Sequence, residues 1–167
     1  ASTVSGLVVA LAVVAPHGAA QSYPSKPVRV IVASGAGGGL DFVARQVATP
    51  LTESLGQSVV VDNRAGASGS IAAELTSQSA PDGYTLMFLS ASLVVYGIVN
   101  KTAYDLHRDF TPISQVAAAP YMLTVHPSLP VKTVKELIAY AKSVPSKLNY
   151  ASTGNASLAH LASELFS

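Results

Sequence analysis

Residues 28–41, VRVIVASGAGGGLD, decide the fold of this chain. The stretch begins with a short apolar strand at residues 28–33, whose nearly continuous Val and Ile content predicts burial on both faces, as in a parallel sheet. A glycine-rich loop follows, and Asp41 stands where a helix begins. Strand, glycine-rich loop and helix are how an α/β protein brings backbone N–H groups up to an anion. We therefore predict that this loop helps to hold a carboxylate.

The glycines and the aspartate of this loop each have two interpretations. Three consecutive glycines, Gly37 to Gly39, exceed what a turn needs, which favours close approach of a ligand to the main chain. Asp41 either caps the helix and favours its positive end, or contacts an amine-bearing or hydrated ligand. The sequence leaves both roles of Asp41 open.

Residues 42–89 continue the same alternation of helix and strand. Val43, Val47, Leu51 and Leu55 form one apolar helix face, with Pro50 predicted to kink or split the helix and Gly56 predicted to end it. Strands are predicted at 58–62 and 84–89, with a glycine-containing loop at 63–69 and a helix at 70–79 between them. This order implies right-handed crossovers, a parallel sheet, and loops that all open at one sheet edge, where such folds bind ligands.

The remainder of the chain mixes clear and weak patterns. A short helix is predicted at 90–99, and strands at 113–117, 121–125 and 148–151. Thr133 and Glu136 form a capping box that opens a helix reaching to about residue 143. Residues 152–157, STGNAS, form a small polar loop that leads into a last helix, which repeats the logic of the opening stretch.

Composition excludes several classes of function. The chain has 167 residues, of which 49% are hydrophobic and 11% charged, with a net charge of +1. This excludes a disordered tail, and the lack of a basic stripe gives no support for nucleic-acid binding. No cysteine is present, so disulfides and thiolate metal sites are absent.

Both ends of the sequence carry a signal of their own. The first 25 residues contain no Lys, Arg, Asp or Glu, and an apolar run at 6–15 is followed by Pro16 and by small residues up to Ala20. This pattern predicts a secretory signal peptide over residues 1–20 that leaves a soluble exported protein. A basic segment and an initiator Met are missing in front of it, and the last helix stops without a Gly or Pro signal. We therefore expect a fragment of a longer chain.

The motifs that would indicate an enzyme are incomplete in this sequence. Gly35 and Gly37 after a strand, with Asp62 ending the next strand, resemble a dinucleotide-binding fingerprint, but its third glycine falls on Leu40 and Asp41 would face the pyrophosphate. Ser68 lacks the spacing of a nucleophile elbow. His160 and Glu164 lie one helical turn apart with no third metal ligand. Arg64 either pairs with a ligand carboxylate or bonds Asp62 and nearby carbonyls.

Six stretches after Tyr23 carry a family resemblance. They are YPSKPVRVIV with GGGLD, LGQSVVVDNRAGASGSIAAE, APDGYTL, DFTPISQV, HPSLPVKTVKELIAYAK and KLNYASTGNASLAHLASELF. In these stretches the sequence resembles the periplasmic solute-binding proteins of tripartite tricarboxylate transporters, the Bug family. The resemblance implies an α/β fold like that of type II periplasmic binding proteins, with two lobes, mainly parallel sheets and a truncated C-terminus. It assigns residues 21–110 to the first part of lobe one and residues 111–167 to the first part of lobe two.

The resemblance also implies a site between the lobes. Backbone N–H groups, small hydroxyls and ordered waters are expected to hold a ligand carboxylate there. The predicted ligand-binding residues are Ser34, Gly35, Gly37, Gly38, Gly39, Asp41, Ser68, Ser90, Ser152, Thr153, Gly154, Asn155 and Ser157. The chain departs from the family pattern at 33–36, where an aromatic residue and prolines are usual, and at Ala65, where Pro is usual. These departures leave the substrate open.

The functional expectation that results is a binding protein. By resemblance, it is not an enzyme, needs neither cofactor nor metal, is periplasmic, and is a monomer when full length. It would capture a small organic acid and deliver it to the membrane subunits of a tripartite tricarboxylate transporter. The same fold used as a ligand-presenting component of a sensor is the alternative, because both roles use the same cleft.

Overall fold

The computed structural model describes residues 22–145 and 147–166. The predicted signal peptide, residues 1–20, lies outside the described residues. The strands are β1 (Val28–Val32), β2 (Val59–Asn63) and β3 (Thr85–Phe88), and the helices are α1 (Gly39–Leu55), α2 (Ser70–Ser77), α3 (Ala91–Val99), α4 (Val134–Ser143) and α5 (Leu158–Phe166). A short 3-10 turn at Ala67–Gly69 precedes α2.

The three strands form one parallel sheet in the order β2-β1-β3. Val28 of β1 pairs with Val59 of β2, and Arg29 pairs with Thr85 of β3. Because β1 is central, four of its five residues are buried, as its apolar sequence predicts. The alternation of strands and helices and the parallel sheet are confirmed.

Helix α1 begins two residues before Asp41 and is not split. It runs unbroken through Pro50 to Leu55, and Gly56 ends it in the left-handed conformation with φ 64°. Pro50 is exposed, while Ala48 before it is buried and Leu51 after it is half-buried, on a helix that contacts β1 and β2. Of the two outcomes predicted at Pro50, a kink or a division of the helix, the division does not occur.

The core lies on both faces of the sheet. Val30, Val32 and Ala44 pack on one side with apolar residues of β2 and β3 around them. On the other side, Leu93 of α3 and Tyr104 are buried in a second cluster, against which Met87 of β3 packs. Side chains alternate between the faces along each strand, so the central sheet supplies both clusters.

The second half of the chain differs from the prediction. No strand forms at 113–117, 121–125 or 148–151 within the described residues, so those three strand predictions are wrong here. A strand needs a hydrogen-bonded neighbour, and the described part of the chain offers these segments none. Helix α4 does form where predicted, because its capping box is local: Thr133 Oγ1 accepts the N–H of Glu136 at 3.2 Å.

Helix length and hydropathy bear on the membrane question. Among residues 22–145 and 147–166, no helix combines the length and the apolar character needed to cross a bilayer.

Candidate functional site

Three loops leave the sheet at the carboxyl ends of the parallel strands. The N–H of Ala33, just past β1, donates to Phe88 O at the end of β3 at 3.0 Å. The N–H of Arg64, just past β2, donates to Val32 O at 2.9 Å. These bonds hold the starts of the three loops side by side at one edge of the sheet, as predicted.

The first loop, residues 33–38, delivers N–H groups to this edge. The first bond within α1 runs from the N–H of Phe42 to Gly38 O, so the N–H groups of the first three helical residues have no acceptor inside the helix. The Gly38 N–H makes a long bond to Gly35 O at 3.4 Å. A Cβ atom placed on Gly39 would meet no atom within 4 Å, and Gly39 is exposed. The helix start thus offers donors and a partial positive charge to open space.

Asp41 is buried beneath this loop and its carboxylate is fully engaged. It accepts the N–H of Gly37 at 2.8 Å, Arg45 Nε at 3.0 Å and Asn63 Nδ2 at 3.0 Å. The bond from Arg45, followed by that from Gly37, lowers the pKa of Asp41 from 3.8 to about 2. The carboxylate therefore ties the loop to the third residue of the helix and occupies the Gly37 N–H, while no side-chain capping bond is made at the N-cap residue Gly38.

Two residues of this network were missed by sequence reasoning. Asn63 donates from Nδ2 to Ser34 O at 3.2 Å as well as to Asp41, and Arg45 donates from a terminal nitrogen to Asn63 Oδ1 at 3.2 Å. Arg45 stands four residues after Asp41, a spacing at which helical side chains meet. Asn63 ends the neighbouring parallel strand, which was a usable signal for its position.

The second loop packs tightly against the first. Gly69 has φ 98°, and a Cβ atom there would lie 3.0 Å from Ala33 Cβ and 3.6 Å from Leu93 Cδ1. Ser68, next to it, is left-handed with φ 52° and ψ 27°. Only a residue without a side chain fits the Gly69 position, because the 3-10 turn packs closely between the end of β1 and α3.

The third loop, which follows β3, and a fourth loop, residues 151–157, meet at the start of α3. Ser90 stands at the N-cap position of α3 but makes no side-chain capping bond. One turn in, Ser92 Oγ accepts the N–H of Leu158 at 3.4 Å, which attaches the start of α5 to α3. Ser157 is buried and its Oγ accepts the N–H of His160 at 3.1 Å, so this hydroxyl caps α5. Ser92 is a further residue that sequence reasoning missed.

The predicted site residues therefore fall into two groups joined by α3. The first loop and the 3-10 turn contact each other, and α3 contacts both that turn and α5. In the fourth loop, residues 152–155 are exposed. In the described part of the chain, no hydrogen bond joins the first loop directly to the fourth.

Arg64 and Asp62 are engaged with each other beside the site. Arg64 Nε lies 3.0 Å from one Asp62 oxygen, and Arg29 Nε donates to the other at 2.8 Å. These bonds, that from Arg29 foremost, lower the pKa of Asp62. Arg64 thus bonds Asp62, as one of its two interpretations predicts, and the Asp62 carboxylate is not free to bind a ribose.

The acidic and histidine side chains of residues 22–145 and 147–166 do not assemble into a metal site. Across the described residues, no group of three or more His, Asp or Glu side chains could hold a metal ion. His160 Nε2 lies 3.9 Å from Glu164 Oε1, and the Tyr150 hydroxyl also donates to that oxygen.

Comparison with known proteins gives consistent relatives. A family profile described as tripartite tricarboxylate transporter family receptor matches residues 43–167. Protein BugT of Bordetella pertussis is 39% identical over 166 residues, which cover 98% of this chain and 51% of that protein. A UPF0065 protein of Bordetella bronchiseptica is also 39% identical, covering 93% of this chain and 47% of that protein. The chain spans about half the length of the curated relatives it matches.

Several solved structures have a fold similar to that of this chain. Rpa4515 of Rhodopseudomonas palustris, determined with adipate, matches with a TM-score of 0.80 and 38% identity over 86% of this chain and 49% of that one. MatC of the same organism, with bound malate, matches with a TM-score of 0.71 and 31% identity over the same shares. The periplasmic binding protein BugD matches with a TM-score of 0.69, 30% identity, and coverage of 86% of this chain and 48% of that one.

Proposed function

Because this chain belongs to the tripartite tricarboxylate transporter receptor family, we propose that the full-length protein captures a small organic carboxylate outside the cytoplasm and delivers it to a transporter of that type. Members of this family are periplasmic solute-binding proteins and not enzymes. The role proposed here is therefore binding and release.

One observation carries the proposal: the start of α1 presents N–H groups without helical acceptors to open space at the edge of the sheet. A carboxylate placed there gains hydrogen bonds and a favourable helix dipole. Asp41 faces inward and is neutralised by Arg45. Its charge therefore repels an incoming anion less than a free carboxylate would.

The substrate class we propose is a short dicarboxylic acid. Adipate and malate, named with two of the similar structures, each carry two carboxylates. In our proposal one carboxylate binds at Gly38 and Gly39, and it displaces the long bond between the Gly38 N–H and Gly35 O. The other polar groups of the ligand meet the exposed loop at residues 152–155, with residues 21–110 and 111–167 belonging to two different lobes.

Calorimetry on the full-length protein with adipate and malate tests this proposal. Gly39→Ala adds a methyl group where there is free space in the protein, so the fold is retained but a carboxylate can no longer approach. We expect affinity to fall at least tenfold, or about 1.4 kcal/mol. Gly97→Ala, inside α3 where a Cβ has ordinary contact with Leu106 at 3.9 Å, is the matched control and should change affinity less than about twofold.

The outcomes separate clearly. Equal affinities of wild type and Gly39→Ala would remove the first loop from the site. The absence of any heat of binding with both acids would contradict the substrate class.

A sensing role is the alternative. Deleting the gene should abolish uptake of the acid if the protein serves transport, and abolish only induction by the acid if it serves sensing.

A further inference from the structure

Three side chains contact one another where the fourth loop, residues 151–157, begins and ends. Tyr150 stands just before the loop and His160 just after it, with ring centroids 6.3 Å apart and planes inclined by 36°. Glu164, one turn further along α5, accepts a hydrogen bond from the Tyr150 hydroxyl, and its Oε1 lies 3.9 Å from His160 Nε2. Side chains from both ends of the loop therefore converge on one carboxylate.

His160 also reaches into the loop itself. The N–H of Ala156 donates to His160 Nδ1 at 3.4 Å. Because Nδ1 accepts this bond, the donor position of the ring is Nε2, on the side of Glu164. The two ring nitrogens thus have different tasks: Nδ1 holds the main chain of the loop, and Nε2 faces the carboxylate.

The residue that His160 holds is in a conformation that needs support. Ala156 has φ 57°, in the left-handed region that a residue with a Cβ adopts only at a cost. Local strain of this kind persists when the surrounding structure fixes it. The bonds to His160 Nδ1 and the capping bond of Ser157 act on either side of this backbone position.

We propose that His160 is a positioning residue: through Nδ1 it fixes the left-handed turn at Ala156, which presents the exposed stretch 152–155 to the ligand. This inference rests on the proposed function, because it assigns the support of a loop that function uses. His160 does not touch the ligand in this account. Its side chain acts through the backbone of Ala156.

Two substitutions separate the two ring nitrogens. An Asn side chain places its oxygen where Nδ1 stands, whereas a Gln side chain places its amide near the position of Nε2. His160→Asn therefore retains an acceptor for the Ala156 N–H, and His160→Gln retains only the partner of Glu164. Both are carried by the full-length protein. Gln is the better helix former of the two, so helix propensity alone would favour His160→Gln.

Amide hydrogen exchange of Ala156, followed by NMR without ligand, is the first readout. We expect exchange about fivefold faster in His160→Gln than in wild type, the effect of losing one hydrogen bond, and within about twofold of wild type in His160→Asn. Thermal unfolding should show His160→Gln to be no less stable than His160→Asn, so faster exchange at Ala156 would be a local effect. Equal exchange rates in the two variants would overturn the proposal.

Affinity for adipate and malate is the second readout. His160→Gln should weaken binding of the acid about fivefold or more, and His160→Asn should restore it to near the wild-type value. Loss of affinity in both variants with Ala156 exchange unchanged would overturn the positioning role. A wild type that binds neither acid overturns the proposed function alone, since the exchange comparison still decides whether His160 holds the loop.

Discussion

The sequences of residues 28–99 and 112–166 both predict strands and helices, yet among the described residues only the first region forms a sheet. Ile31 and Val32 in the first region are completely buried, whereas Ile113 and Met122 in the second are 80% and 82% exposed. The difference lies in partners. A buried strand gains its stability from neighbours in the sheet and from helices on its faces, and the described residues supply these only to β1, β2 and β3.

The largest effect is expected from a matched pair of Ile→Ala truncations, one in the core and one on the surface, in the 167-residue chain. Ile31→Ala should lower the free energy of unfolding by about 2–5 kcal/mol, because it leaves a cavity in the centre of the sheet. Ile113→Ala should change it by less than about 0.5 kcal/mol, because its side chain is exposed. Urea unfolding followed by circular dichroism measures both.

The comparison breaks if Ile113→Ala proves as costly as Ile31→Ala, since the second region would then be packed as well. Repeating Ile113→Ala in the full-length protein sharpens it. A loss above about 2 kcal/mol there, with none in the shorter chain, would show that the segment gains its partners from further residues.

A smaller effect is expected from the glycines of the site loops in the first region. Gly69→Ala forces a side chain into a left-handed position 3.0 Å from Ala33, which should cost about 1–3 kcal/mol. Gly35→Ala has free space around it and should cost less than about 0.5 kcal/mol. Thermal melting distinguishes them, and equal losses would contradict the tight packing of the 3-10 turn against β1.

The N-caps of α3 and α4 allow the local structure of the two regions to be compared. Thr133→Ala removes a capping bond to Glu136 and should lower the local opening free energy of α4 by about 1 kcal/mol. Ser90→Ala, at the equivalent position of α3, removes no side-chain cap and should leave α3 nearly unchanged. Amide exchange within each helix reads this out. Similar losses in both helices would show that the hydroxyl of Ser90 caps after all.

Acid unfolding tests the Asp41 network of the first region. Because its pKa is lowered to about 2, Asp41 stabilises the fold fully above its usual value of 3.8 and loses that contribution as the pH falls toward 2. The stability difference between wild type and Asp41→Asn should therefore be largest at about pH 5–7 and shrink on approach to pH 2. Urea midpoints at several pH values measure it, and a difference independent of pH would contradict the assignment.

The sequence allowed the local features to be predicted and missed the long-range ones. The N-cap at Thr133 and the end of α1 at Gly56 depend on nearby residues, and both are confirmed. The three strands pair across long stretches of sequence but are marked by local apolar runs, and they are confirmed as well. The network around Asn63 spans 22 and 29 residues and could not be seen in a linear pattern. The strand patterns of the second region were readable, but pairing depends on neighbouring strands, and the described residues do not supply these.

The ligand-binding role of individual residues stays a prediction. Some of the predicted groups are already bonded within the protein, whereas others are exposed. The Gly37 N–H and the Ser157 hydroxyl, both predicted to bind ligand, are engaged inside the protein by Asp41 and by the His160 N–H. The prediction of ligand binding therefore rests on Gly38, Gly39 and the exposed residues 152–155. Ser34 contributes its carbonyl to Asn63, which ties the first loop to β2.

A crystal structure of the full-length protein with adipate tests the central claim most directly. The account predicts one carboxylate of the ligand within about 2.7–3.2 Å of the N–H groups of Gly38 or Gly39, with the other end near residues 152–155. It is contradicted if adipate binds elsewhere, for example in the shallow groove along β2 that Arg29, Val60 and Asp62 line, while the start of α1 stays in contact with solvent.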